Sequence, residues 1–364
     1  MNISARRRWR AFAALAMAGA VAGSTGLATA TGAEVPAGTG VRADSVAAGA
    51  PRNGLDGSRE VGSLEGNVFA ADRRADLEGG ARTTAATPYW VRYAPLVYLA
   101  SGDKNYPMSA ESFIRLAALR WSHDDGCSDE QLVRSGSINP ATLRSGGYKH
   151  QGKGGSPGCR HGGAVYTSAG KVRPFDLASD SNEGMFLEIA NAHRGGSGVR
   201  SPIYVDYIAR SHMTFWFFYG NNDSPAPRIA DHEGDWERIS LRLNASNVPD
   251  RVAFYKHNST CWLSWRSVSR TGTHPIIYSA KGTHASYWKV KNNWPLPYGA
   301  VDTTSKGHAW KTWEVPSYAV RARPWYGYGG GWGEVGSNRH STGPLGPSVY
   351  KGHEPNWNNI PACA

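Results

Sequence analysis

The segment His232-Glu233-Gly234-Asp235-Trp236-Glu237 gathers one imidazole and three carboxylates within six residues. From Asp235 onward the sequence alternates. Along extended backbone successive side chains point to opposite faces. Asp235 and Glu237 therefore share a face with Ile239, Leu241 and Leu243, while Trp236, Arg238, Ser240, Arg242 and Asn244 take the other. Two acids two positions apart on a strand lie about 7 Å from one another. At the mouth of an apolar interior they repel and lose hydration, so they require a cation, a proton or basic partners. His232, just upstream, is placed to complete a His-x-x-Asp-x-Glu ligand set, and Asp223, across a Pro-rich connection, offers a fourth group. Mainly oxygen ligands with one imidazole favour Mg²⁺ or Ca²⁺, with Mn²⁺ compatible, over structural zinc. The alternative is plain salt bridging of Asp235 and Glu237 to Arg238, Arg242 or other basic side chains.

His284 lies in Lys281-Gly282-Thr283-His284-Ala285-Ser286-Tyr287, directly after an apolar stretch. A His on a turn beyond a buried strand suits a general base, a group supporting metal ligands, or a backbone-bonded turn residue. Glu233 and His284 are the candidate catalytic pair if a bound cation activates water. Trp236, Ser286 and Tyr287 are the candidate ligand contacts. Gly154-Gly155-Ser156-Pro157-Gly158 and the Gly331–Gly336 stretch spell a nucleophile elbow and a dinucleotide fingerprint. Neither has the strand and helix its chemistry requires.

The elements that must position these residues read as β. Residues 89–99 form an opening strand broken at Pro95, and Ser109 caps a short helix over 112–119. A Gly-rich loop follows over 127–170, with room for short strands. Strands are expected over 202–209, 212–219, 235–243, 251–256 and 275–280, and irregular loops over 324–347. His212–Tyr219 is apolar on both faces, the mark of a doubly buried strand. The spacing predicts an antiparallel β-sandwich with long loops and few helices.

Arg6, Arg7, Arg8 and Arg10, an Ala-rich apolar run and Ala28-Thr29-Ala30 read as a signal peptide over 1–30. Residues 31–86 lack periodicity and read as a disordered linker or propeptide. One β-sandwich domain is expected over 87–364, in a secreted, extracellular protein with no membrane span after signal removal. The first segment carries +4 and the second −2, which leaves +9 of the overall +11 on the domain. That balance permits peripheral attraction to anionic surfaces, but no nucleic-acid motif accompanies it. Cys127, Cys159, Cys261 and Cys363 form no Cys-x-x-Cys pair. In an exported chain they predict two disulfides, 127–159 and 261–363 being the favoured pairing of three.

Two resemblances follow from these motifs. Tyr93–Leu99, Tyr106-Pro107, His232–Glu237, Tyr278–Ala280 with His284–Tyr287, Trp332-Gly333 and Gly343–Pro347 resemble, in order, the vacuolar protein sorting-associated protein 62 family, whose name defines no biochemical activity. Phe215–Tyr219, Asp223–Pro227 and His232-x-x-Asp235-x-Glu237 are similar to the core of the necrosis- and ethylene-inducing peptide-like proteins, secreted cytolysins that bind a divalent cation and sphingolipid headgroups. The second resemblance implies Asp223, His232, Asp235 and Glu237 as metal ligands. This chain has Gly234 where that family has a second His. The expected function is binding, and cytolytic action, at a cell-surface glycan or lipid headgroup. A metal-dependent hydrolase and a structural cell-envelope protein are the alternatives.

Overall fold

A computed structural model describes residues 87–123, 128–151, 164–176, 182–225, 230–257, 259–296, 299–349 and 355–364. The signal peptide, the linker, Cys127, Cys159 and the Gly154–Gly158 motif lie outside these residues.

The chain is mainly β. At its centre is a six-stranded sheet in the order β11-β10-β9-β8-β7-β18. Its strands are β7 (Ile203–Ile208), β8 (His212–Asn222), β9 (His232–Leu243), β10 (Pro249–Lys256), β11 (Ser259–Ser264) and β18 (Ser317–Ala319), numbered in chain order over the whole protein. Strand β8 is buried on both faces, as its composition demands. Met213, Phe215, Phe217 and Tyr219 turn one way, with Ile239 and Leu241 of β9. There they meet Val97 of β1 (Leu96–Tyr98), Ile277 of β13 (His274–Ser279) and Trp310 of β17 (Ala309–Lys311). These three strands form a second sheet, joined at β13 by β12 (Arg270–Thr271) and β14 (Ser286–Tyr287).

Trp216 and Phe218 turn the other way, with Tyr204 and Trp236. They pack on Phe113 of α1 (Ala110–Leu116) and on a third sheet. Its order is β19-β6-β2-β3, made of β2 (Ala118–Ser122), β3 (Glu130–Val133), β6 (Gly184–Glu188) and β19 (Gly331–Trp332). The central sheet is thus covered by a smaller sheet on each face, and two apolar clusters are segregated by strand parity.

Several boundaries differ from expectation. Residues 89–93 form a 3₁₀ turn between Pro88 and Pro95, so only Leu96–Tyr98 is strand. Ser109 caps the helix as expected, its side chain accepting from the Ser112 amide. The helix ends at Leu116 because Leu119 and Trp121, both 0 % exposed, alternate into the core as a strand. Within 127–170 the chain also forms α2 (Pro140–Ser145) and a two-stranded ribbon, β4 (Lys149–Gln151) with β5 (Val165–Thr167). The sheets are not wholly antiparallel. β1 with β13, β7 with β18 and β6 with β19 are parallel, because each pairs segments brought in by distant connections. No described helix is long and apolar enough to cross a membrane.

Cys261 and Cys363 are disulfide-bonded, as the spacing predicted. The bond, with Trp262 donating to Pro361 and Cys363 donating to Trp262, lays the final residues along edge strand β11. It spans 102 residues of sequence, and loss of a native disulfide costs about 2–5 kcal/mol, toward the upper end for so long a loop. Replacing Cys261 and Cys363 by Ser is expected to lower the urea-unfolding free energy by about that amount; an unchanged unfolding midpoint would disprove it.

Candidate functional site

Asp235 and Glu237 do share the face that holds Ile239 and Leu241, opposite Tyr219 and Phe217 of β8. Glu233, two residues earlier, would share it too if the strand ran straight. Instead Gly234 adopts φ +60° and breaks the alternation. The Glu233 side chain turns to the other cluster, where it accepts from the Ile189 amide (3.1 Å) and from Arg194 (2.6 and 3.0 Å). Burial pushes its pKa up to about 7, against the lowering pull of Arg194. Only glycine fits at 234, since an added Cβ would lie 1.8 Å from the Trp332 carbonyl oxygen. The structure therefore separates Glu233 from Asp235 and Glu237 by the thickness of the sheet.

The partner of Asp235 is His284. Its Nδ1 lies 2.9 Å from Asp235 Oδ2, its Nε2 donates to the Asn105 carbonyl at 3.1 Å, and Asp103 Oδ2 is 3.7 Å away. The imidazole stacks on Tyr219 at 3.8 Å, with the rings 5° from parallel. Burial disfavours its charge, but hydrogen bonds and attraction from Asp103 and Asp235 win and raise its pKa to about 9. Asp103 is correspondingly lowered: burial works to raise it, and the hydrogen bond and charge of His284 overcome that. A proton held between two carboxylates equips His284 to position them, and leaves it no lone pair with which to act as a base at neutral pH. His284 sits at φ +53° in a tight turn, a conformation seen for His more often than for most residues.

The same turn fixes Asp223. Its amide donates to the Gly282 carbonyl at 2.9 Å, and a Cβ on Gly282 would lie 2.0 Å from the Asp223 carbonyl oxygen. Asp223 is thereby held beside the His284 turn with an exposed side chain. His232 pairs with Asn222 across β8 and β9. Its Nδ1 is 2.8 Å from the Gly234 carbonyl oxygen and its Nε2 3.0 Å from the Asn222 amide nitrogen. Burial lowers its pKa, which fits a neutral ring donating at Nδ1 and accepting at Nε2.

Glu237 is raised well above the carboxylate range, first by burial and then by repulsion from Asp235 and from Asp302. Asp302, 0 % exposed on β16 (Val301–Thr304), was not foreseen. It accepts from Thr283 Oγ1 (2.7 Å) and Tyr287 Oη (2.8 Å), and lies 2.8 Å from His257 Nε2. The charge and amide of Arg238 pull the Glu237 pKa down without offsetting burial, and neither arginine side chain is given over to the pair. The Arg238 guanidinium lies over Trp216 and Tyr255, and Arg242 holds Asp250 at 2.7 and 2.8 Å. The result is a line of alternating charge, Asp103–His284–Asp235, that continues into Glu237 and Asp302.

The candidate ligand contacts are buried. Trp236 is 5 % exposed among Tyr204, Phe218, Trp325 and Trp332. Ser286 and Tyr287 are each 2 % exposed, and the Tyr287 ring stacks on Trp294 at 4.5 Å. Among the described residues, the group whose metal-ligating atoms all lie within 4.8 Å of one another is His123, Glu130 and His150, on the opposite side of the central sheet, not the four expected ligands. Sequence reasoning missed that group and missed Asp103, Asp302 and His257, because no local spacing links them.

No family model matches the chain, and no curated protein matches it. Solved structures that align with it include the necrosis and ethylene inducing protein 2 from the causal agent of cocoa's witches' broom disease. That alignment has 14% identity over 65% of this chain and 74% of that one, with a TM-score of 0.27. A second is a structure described as NLPPya in complex with mannosamine (14%, 63% and 70%, 0.27). A third is described as a toxin fold as basis for microbial attack and plant defense (13%, 61% and 73%, 0.26). Likeness this slight assigns neither fold nor function, and the β architecture rests on the strands themselves.

Removing His284 leaves Asp103 and Asp235 buried without their shared cation. Breaking such a pair costs about 3–5 kcal/mol. His284→Gln is expected to show that loss in chemical denaturation, and adding Asp235→Asn to it is expected to recover part. Gly234→Ala is expected to lose about 3 kcal/mol or more through backbone collision and strain, read the same way.

Proposed function

We propose that this is an exported binding protein that uses a divalent cation to engage the hydroxyls or phosphate of a cell-surface glycan or lipid headgroup. The observation that carries the reading is that Glu237, midway along β9, shares a face with Asp235 and feels the like charge of Asp235 and Asp302, which Arg238 only partly offsets. Asp235 has His284, and Asp302 has Thr283, Tyr287 and His257, so Glu237 is the carboxyl that calls for a cation or a proton. The donor chemistry fits Mg²⁺ or Ca²⁺, which take carboxylate oxygens. Asp235 and Glu237 would hold the ion, and Asp223 and His232 would complete it once His232 leaves the Asn222 amide. A bound ion would supply positive charge for oxygen ligands from outside the protein.

The surroundings support a surface-binding role. Trp288 and Trp294 lie under the ammonium groups of Lys256, Lys289 and Lys291 at 4.6–5.8 Å. Lys289 and Lys291 are exposed, as are Val290 and Val301 at 45% and 36%. This strip adjoins Tyr287 and Asp302. The disulfide suits an oxidising, extracellular setting. Less supports a hydrolase, because Glu233 is tied to Arg194 on the far face and His284 carries a proton.

The test is a melting curve of chelator-treated protein with Ca²⁺ or Mg²⁺, followed by sedimentation with liposomes and retention on glycans. An ion at a hundredfold excess over its Kd stabilises by about 2.7 kcal/mol, a rise of roughly 5–10 °C. Asp235→Asn and Glu237→Gln are expected to abolish the rise and the binding. No response to either ion, with no binding to liposomes or glycans, would sink the reading. A rise without binding would favour a purely structural cation.

A further inference from the structure

We propose that His123, Glu130 and His150 form a zinc site, distinct from the acidic strand end. One ligating atom from each lies within 4.8 Å of the other two. The residues come from three separate places. His123 follows β2, Glu130 opens β3 opposite Trp121, and His150 is the middle residue of β4. Glu130 Oε2 is 2.8 Å from His150 Nδ1, and the two imidazoles meet edge to face, 5.4 Å apart and at 72°.

An ordinary His–carboxylate pair would account for Glu130 and His150. It would not account for a second imidazole delivered to the same point. Two nitrogens and one carboxylate oxygen are a zinc-type donor set, unlike the oxygen-rich sets that Mg²⁺ and Ca²⁺ take. Zinc bonds of about 2.0–2.2 Å place ligand atoms roughly 3–4 Å apart, so closing requires only a small movement. The mobility is on the right side. His150 is 2% exposed and stacks on Trp121 at 4.2 Å and 10°, so it is fixed. Glu130 is exposed and His123 half-buried, so both can adjust. Arg120 is engaged by Glu188 at 2.9 Å and lies 4.0 Å from Asp129.

Among the described residues three protein ligands leave zinc a fourth position, and Glu130 opens the site toward solvent. The site also has a mechanical task. A two-stranded ribbon is marginal alone, and β4–β5 is held to the third sheet by the stack of Trp121 with His150 and Tyr166. Zinc would pin that ribbon to the β2–β3 edge.

The experiment uses the full chain, tag-free and chelator-treated, titrated with zinc by calorimetry. One equivalent is expected to bind at micromolar Kd or tighter. Loss of a supporting residue around zinc typically weakens affinity about 10–100-fold, and His123→Ala and Glu130→Gln are each expected to do at least that. Both are surface-accessible changes that leave the buried His150 in place, so misfolding does not confuse the result. X-ray absorption of the zinc complex is expected to show a low-coordinate N/O shell. Zinc-dependent protection from hydrogen exchange is expected in β3 and β4–β5. Asp235→Asn is expected to leave zinc affinity unchanged, so this site and the acidic strand end succeed or fail separately. Absence of stoichiometric zinc binding overturns the proposal, and so does binding that persists at full strength in a His123→Ala/Glu130→Gln variant.

Discussion

Both faces of β8 must be kept from water, and the remaining architecture answers that requirement. Phe215 and Phe217 on one side and Trp216 and Phe218 on the other are all at 0–1 % exposure. A single covering sheet would leave two of these rings wet, at a cost of about 1.5–3 kcal/mol for each side chain. Two covering sheets, assembled from segments as distant as Leu96–Tyr98 and Gly331–Trp332, solve the problem. The parallel pairings follow from that recruitment.

Dry walls set the terms for the charged groups at the strand end. Carboxylates in such a place are tolerated when each is answered by a cation or a donor. Asp103 and Asp235 are answered by one imidazolium, and Asp302 by a threonine, a tyrosine and a histidine. Glu237 faces the like charge of Asp235 and Asp302, and the charge and amide of Arg238 offset it only in part.

Strand parity made much of this readable from sequence. It placed Asp235 with Glu237, assigned Trp236 to the opposite face, and identified the doubly buried strand. It did not reach Glu233, because the strand starts at His232 and not at Asp235, and one glycine at φ +60° inverts the alternation between them. Asp103 and Asp302 were beyond reach. They stand 132 and 67 residues from Asp235 in the numbering, and only the folded connections bring them near. His123, Glu130 and His150 were hidden for the same reason: their spacing matches no helix or strand period. An exported chain with an even count implied that Cys261 and Cys363 are bonded, and their pairing with each other was favoured because it ties down the C-terminus.

At Gly234 and at Gly282 the layers touch backbone to backbone, with the Trp332 and Asp223 carbonyls occupying the space where a side chain would stand. Sheets that slide over one another do so on a cushion of side chains that can change rotamer. Here that cushion is missing at two points that flank the acidic strand end. The three layers are keyed together like a mortise joint, and shear between them is blocked. A ligand arriving at this end meets a rigid frame, so its arrival is registered by swinging side chains and not by gliding sheets.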